Sequence, residues 1–381
     1  MAGNSNLNSA KTARKDEFYT QLTDIEKEIR YYRKHFQGQT VLCNCDDPFE
    51  SNFFKYFALN FNRLGLKKLI ATCYYSSPIA GQQLQYSCDV NGQVTLCLAD
   101  KGVEENKNKR PYKAVVTQVY DKKGDGGVDM LDVAELFCSG ENELVELEGD
   151  GDFRSPECLA LLDEADIVVT NPPFSMFREY LGTLVEHKKN FLIIGNVNAI
   201  KYQEVFPLFM SNKLWLGASI HSGDRAFFVP DDYPLDAAGC GIDKETGRKY
   251  IRVKGVRWFT NLDIKQRHEE MILVRRYTPE EYPKYVNYDA IEVAKTSDIP
   301  CDYSGAMGVP ITFMDKYNPD QFEIIGASQH LIREISDDIR KKARYSQIGC
   351  FYLDNLDGTY RKMYDRIVIR NKHPEPPKEV K

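Results

Sequence analysis

The chain has 381 residues, 42% of them hydrophobic and 28% charged, with a formal net charge of −6. That is the composition of an ordinary globular protein, with room for two domains at roughly 100–200 residues each, or one large domain with insertions. The negative balance excludes a general polycation, and apolar runs such as Phe191 to Ile194 fall far short of the ~20 residues that span a bilayer.

The N-terminal MAGNSNLNSAKTARKDEF is polar, has no apolar signal segment and reads as a loose arm. The ten cysteines are scattered, and only Cys43 and Cys45 lie close together. Reduced thiols in a cytoplasmic protein fit this pattern. No membrane association is expected. TVLCNC (Thr40 to Cys45) reads as a buried strand. A DDP turn and a helical pattern, SNFFKYFALNFNRLGL, follow it, with Ser51 as the expected cap. KKLIATCYY, ADIVVTN and NFLIIGNVN read as further strands, separated by helix-like runs. This alternation predicts an α/β fold with a parallel sheet covered on both faces, and ligands beyond the carboxyl ends of its strands.

The stretch at about 76–148 breaks the rhythm with YSCDV, QVTLCLAD and KAVVTQVYD, and reads as a β-rich insertion. A first domain is therefore expected over 1–215. Residues 216–370 are expected to supply the remaining strands of the core and a DNA target-recognition region: RAFFVP, RKYIRVKGVRWFT and EMILVRRYT are strand-like and rich in arginine, and a loop-rich region runs from Tyr282 to Phe322. Residues 371–381 read as a disordered tail.

The sharpest local signal is Asn171-Pro172-Pro173-Phe174, which follows the apolar strand DIVVT. Two prolines stiffen the backbone and leave it only carbonyl acceptors. Asn171 adds a side-chain acceptor and Phe174 an aromatic face. The site suits an exocyclic –NH2 on a flat heterocycle. Alone, the tetrapeptide is also an ordinary Pro-Pro turn leaving a strand.

Longer stretches decide the matter. KDEFYTQ, VLCNCDDP, SNFFKYFALNF, LGLKKLIA, GDGDFRS, DIVVTNPPFS, FTNLD, YPKYVNYDAI and MGVPITFMDKYNP run in order over most of the chain. Together they resemble the EcoRI-type family of adenine-specific (N6) DNA modification methyltransferases. The region 76–148 and the part beyond about Gly326 match poorly. The resemblance implies a class I, Rossmann-like methyltransferase core, S-adenosyl-L-methionine as cofactor and double-stranded DNA as substrate. It gives Asn171 and Pro172 the role of accepting the two N6 hydrogens. Pro173 stiffens the turn, and Phe174 stacks on an extruded adenine.

For the cofactor, the turn after the first strand carries Asp46 and Asp47 in place of a glycine-rich loop. Asp152 and Phe153 follow a short strand, LVELEGD, where the broader fold places an acidic and an aromatic residue against the cofactor adenine. Phe18, Tyr19 and Thr20 match the segment beside its methionine end. Each of these also reads as a polar turn or as core packing.

A polyanion bound by a negative protein needs a local basic surface. Candidates are Lys11, Arg14 and Lys15; Lys107, Lys109, Arg110 and Lys113; and Arg340, Lys341, Lys342 and Arg344. Each also reads as a solvated face. Arg225, Arg252, Lys254, Arg257 and Trp258, in the C-terminal DNA-recognition region, are the expected DNA-facing residues. Asp121 to Asp132 resembles a calcium loop, but Lys123 at its third position and the preceding strand favour a surface turn. No metal is expected. A monomer is expected, and a cognate restriction endonuclease acting on the same site is a natural partner. Methylation of RNA or of a protein glutamine, and non-catalytic DNA binding on the same fold, remain the alternatives.

Overall fold

The computed structural model describes residues 19–45, 51–73, 111–221, 223–229, 233–235, 239–244 and 246–376, together with the backbone of strands at 84–88 and 94–98. The chain forms two compact units. The first comprises residues 1–197 and 222–262, the second 198–221 and 263–381. The chain leaves the first unit after residue 197 and returns to it at residue 222.

In the first unit the strands are β1 (Thr40–Cys43), β2 (Lys68–Thr72), β3 (Leu84–Cys88), β4 (Val94–Leu98), β5 (Tyr112–Val116), β6 (Glu143–Glu146), β7 (Ile167–Thr170), β8 (Asn190–Asn196), β9 (Asp224–Phe228), β10 (Cys240–Ile242), β11 (Lys249–Lys254) and β12 (Val256–Thr260). The large mixed sheet runs β6-β5-β2-β1-β7-β8-β12. Its centre, β2-β1-β7-β8, is parallel. Every residue of β1 and β7 is buried, as expected for strands covered on both faces. Strands β5, β6 and β12 join antiparallel. The region 76–148 is thus divided: β3 and β4 pair with each other, while β5 and β6 extend the main sheet.

The helices have local causes. Ser51 Oγ accepts from the Phe53 amide at 3.0 Å and caps α1 (Asn52–Leu59), whose Phe53, Phe54 and Phe57 are buried. Asp129 and Asp132 form a reciprocal capping box on α2 (Met130–Cys138). Ser155 caps α3 (Pro156–Glu164), and Pro156 opens it. A further helix, α4 (Phe177–Glu186), links β7 to β8.

The calcium-like stretch is a turn. The Asp121 carboxylate accepts the Gly124 and Gly126 amides at 2.6 and 2.7 Å. The Lys123 ammonium stands 3.3 Å from Asp125 and 2.9 Å from Asp129. Among the described residues no cluster of metal-ligating side chains occurs, and no helix is long and apolar enough to cross a membrane.

The second unit holds a four-stranded sheet in the order Ile291–Glu292, Met307–Pro310, Arg366–Asn371, Phe322–Ala327. EMILVRRYT is not a strand there. The Gln321 side-chain amide takes the Met271 N–H and C=O, both at 2.8 Å, in place of a neighbouring strand. Residues 371–376 depart from the expected disordered tail. Asn371 ends a sheet strand, the Glu375 amide donates to the Cys301 carbonyl at 2.8 Å, and Arg276 pairs with Glu375 at 2.6 Å.

Candidate active site

Parallel strands β2, β1, β7 and β8 end along one edge of the sheet. Pairing of Leu42 with Val168 brings the turn after β1 level with the turn after β7. From that second turn Asn171, Pro173 and Phe174 emerge half-buried, while Pro172 is buried. The Pro173 carbonyl accepts from the Met176 amide at 2.9 Å. This closes the turn into a short helical segment, Phe174–Met176, that feeds α4.

Two aromatic contacts fix the start of α4. Phe177 is buried with its ring centre 4.9 Å from that of Phe259. It also lies on the bare Cα of Gly195, where a Cβ would come within 2.4 Å of the ring. One turn on, buried Tyr180 donates its hydroxyl to Asn44 Oδ1, directly after β1. The acceptor turn and the turn after β1 are therefore tied by a buried hydrogen bond.

The loop after β6 joins the same assembly. Gly151 has φ +77°, and a Cβ there would lie 2.2 Å from the Cys73 carbonyl oxygen, so only glycine lets this loop close on the end of β2. Phe153 is buried and meets the Tyr180 ring at 5.0 Å, near perpendicular. Arg154 reaches Asp152 at 2.5 and 2.8 Å and Glu179 on α4 at 3.1 Å. The Arg154 guanidinium holds the Asp152 carboxyl below its usual range.

On the other side, the rings of Phe174 and of Phe227 on β9 lie perpendicular, with centres 6.2 Å apart at 88°. The neighbouring Phe228 exchanges backbone hydrogen bonds with Tyr19, at 2.8 and 3.0 Å. The Asn52 side chain donates to the Thr20 carbonyl at 2.7 Å. Tyr19, Thr20 and the Asn171–Phe174 turn are thus linked through β9 and the start of α1. Phe18, Asp46 and Asp47 lie outside the described residues.

The expected DNA-facing set divides. Arg252 and Lys254 are exposed on β11, alternating with buried Ile251 and Val253. Arg225 is half-buried, and its Nε lies 3.9 Å from Asp24. Arg257 and Trp258 are corrections. Strand β12 is buried along its whole length, so the alternation that suggests an exposed arginine face does not apply. Trp258 is 1% exposed and packs edge-on against Phe53 at 5.9 Å. Arg257 is 4% exposed and donates to the Val256 carbonyl. Neither faces a solvent-borne ligand.

Asn44, Tyr180, Glu179 and Phe227 are absent from the sequence-based site. In the sequence Tyr180 and Phe227 look like any core aromatic, and nothing local marks them.

The family described as "Adenine-specific methyltransferase EcoRI" matches residues 6–372. The chain belongs to this family. It is an adenine-specific DNA methyltransferase. It is 48% identical over 326 residues to the type II methyltransferase M.EcoRI of Escherichia coli, a match covering 85% of this chain and 89% of that protein. It is 33% identical over 369 residues to the type II methyltransferase M.MpnI of Mycoplasma pneumoniae, covering 96% and 98%. A third relative, M.MgeORF184P of Mycoplasma genitalium, is 32% identical over 370 residues. No solved structure matches. Family membership implies the class I fold and S-adenosylmethionine as methyl donor, and the mixed α/β sheet accords with that. The residues present fit such a donor. Among the described residues, the buried Thr20 Oγ1 and Thr72 Oγ1 have no hydrogen-bond partner, and Thr72 ends β2. A ligand rich in hydroxyl, amino and carboxylate groups offers them partners.

Proposed function

We propose that this enzyme methylates the N6 of a specific adenine in double-stranded DNA, after the base leaves the helix. The observation that carries the reading is the Asn171–Phe174 turn at the carboxyl end of β7, level with the turn after β1. Asn171 Oδ1 and the Pro172 carbonyl accept the two amino hydrogens. That draws the nitrogen toward tetrahedral geometry and frees its lone pair, otherwise delocalised into the ring. Phe174 supplies the stacking face. Positioning and preorganised electrostatics then lower the barrier, and the methylated nitrogen, now cationic and acidic, releases one N6 proton to solvent, so no strong general base is needed. S-adenosylmethionine, when bound, supplies an electrophilic methyl group. Tyr19, Thr20, Asn44 and Thr72, with Asp46 and Asp47 next along the chain, would hold it. Asp152 enters this set with Arg154 as its standing partner, so it contributes through a pre-positioned loop. Arg252 and Lys254 face the DNA, and a nuclease cutting the same site is the fitting partner for such an enzyme.

The test is transfer of tritiated methyl to duplex DNA, RNA and protein in parallel, with chromatography of the hydrolysed nucleosides. Label in DNA as N6-methyladenine is expected. Label confined to RNA or to protein glutamine would overturn the reading.

A further inference from the structure

In the second unit, helix Asp337–Lys342 and the hairpin Tyr352–Asp354/Tyr360–Lys362 form one lobe. The Tyr360 hydroxyl donates to Asp338 at 2.7 Å, and Ala343 bridges to Tyr360. Lys362 Nζ donates to Gln347 Oε1 at 2.9 Å, and the Gln347 amide donates to the Tyr352 hydroxyl at 2.7 Å. Ile339, Cys350 and Tyr352 are its buried core.

This packing brings two separate stretches of sequence into one lobe, Tyr360 and Lys362 on the helix side of the hairpin and Arg361 on its other face. Arg340, Lys341, Lys342 and Arg344 come from the helix side, Arg361 and Lys362 from the hairpin, and all are exposed. Of the nearby acids, Asp337 stands 3.9 Å from Arg340. Asp338 pairs with Lys342 at 2.9 Å, and Asp357 is turned into its own loop toward Thr359. Lys341, Arg344 and Arg361 make no ion pair among the described residues. Tyr345 and Tyr364 stand out at 66% and 82% exposed. Arg361, Lys362 and Tyr364, with Arg275, also rim a cleft of about 560 Å³.

We infer that this lobe is a docking surface for the phosphate backbone of the duplex substrate. The inference rests on the proposed DNA substrate and goes beyond it, because it assigns affinity to a surface of the second unit. A protein of net charge −6 that holds a polyanion must concentrate its cations, and unpaired lysines and arginines here do so. Tyrosine hydroxyls add uncharged donors to phosphate oxygens. Bonds to phosphate position the duplex and carry no sequence information.

The experiment is fluorescence anisotropy with a labelled duplex from about 50 to 200 mM salt. It compares the wild-type chain, Lys341→Ala/Arg344→Ala, Arg361→Ala and Arg361→Lys. Removing one cation that neutralises a phosphate should flatten the slope of log affinity against log salt by about 0.9. The double variant should flatten it by about 2 and weaken binding roughly 10-fold at the lower salt. Arg361→Lys should keep the wild-type slope. Affinity for S-adenosylhomocysteine, bound by the first unit, controls for folding. Wild-type slope and affinity in both alanine variants would overturn the assignment while leaving the DNA substrate intact. A wild-type chain that ignores duplex DNA altogether would overturn both.

Discussion

The buried Tyr180 hydroxyl donates a hydrogen bond to the side chain of Asn44, 136 residues away in sequence. It joins the helix that leaves the Asn171–Phe174 turn to the turn that follows β1. Methyl transfer needs both partners held at fixed separation, and a small misplacement is costly. With the β1–β7 pairing, this bond ties the two turns of the proposed site together.

Tyr180→Phe keeps the ring and its packing against Phe153 but removes the donor. The buried Asn44 oxygen then loses a partner, at a cost of about 1–3 kcal/mol. The expected result is a several-fold rise in the Kd for S-adenosylhomocysteine, measured by calorimetry, with kcat reduced even at saturating cofactor. A lower Tm with unchanged Kd and kcat would make Tyr180 a packing residue only.

Gly195→Ala tests the seat of α4. Its new methyl would meet the Phe177 ring at 2.4 Å, so the ring must shift. Overpacking of this kind costs about 1–3 kcal/mol. Because Phe177 opens the helix just beyond Phe174, the KM for DNA should rise as well. Chemical denaturation and steady-state kinetics together check this.

Glu292 and Arg366 form a buried ion pair in the second unit, with N–O distances of 2.6 and 3.0 Å. Tyr285 donates its hydroxyl to the same carboxylate. Burial, with Glu292 adding to it, pushes the Tyr285 hydroxyl far above its ordinary value, so it stays a donor at any working pH. Glu292→Gln leaves a buried guanidinium without its counter-charge. A loss of about 3–5 kcal/mol is expected by denaturant unfolding. Replacing both partners with apolar residues of similar volume should recover most of it.

The parts legible in the sequence were those with a local signature. Strands β1, β7 and β8 are runs of buried apolar residues, and Ser51 sits where a cap must sit. The Asn171–Phe174 turn announces itself because two consecutive prolines after such a strand are unusual. Long-range pairing is not local, so the Asn44–Tyr180 bond and the Arg154 bridge between Asp152 and Glu179 could not be read in advance. Trp258 misled for the same reason. Arginines around an aromatic look like a nucleic-acid face until the sheet is seen to bury the strand on both sides. Region 76–148 read as an insertion because its segments β5 and β6 sit far along the chain from the strands they join.

His268 lies between two carboxylates, 2.8 Å from Asp320 and 2.9 Å from Asp263. Asp320 first, then Asp263, raise its pKa above the ordinary value. A histidine with a raised folded pKa adds stability that is fully present below its unfolded value and is lost as pH rises through the folded value. Relative to His268→Gln, the wild-type chain should therefore gain most in Tm below pH ~6 and nothing well above the raised pKa. The group is exposed, so the gain should be small and should fade with salt. A gain that grows with pH would contradict the assignment.

In the proposed mechanism Asn171 accepts a hydrogen bond from the adenine amino group during transfer. The most direct measurement is single-turnover methylation of a duplex by Asn171→Ala with tritiated S-adenosylmethionine, beside the Kd of the variant for the same duplex. The expected rate is lower by on the order of 10²-fold or more, with DNA affinity retained. A near-normal rate of N6-methyladenine formation by the folded variant would contradict it.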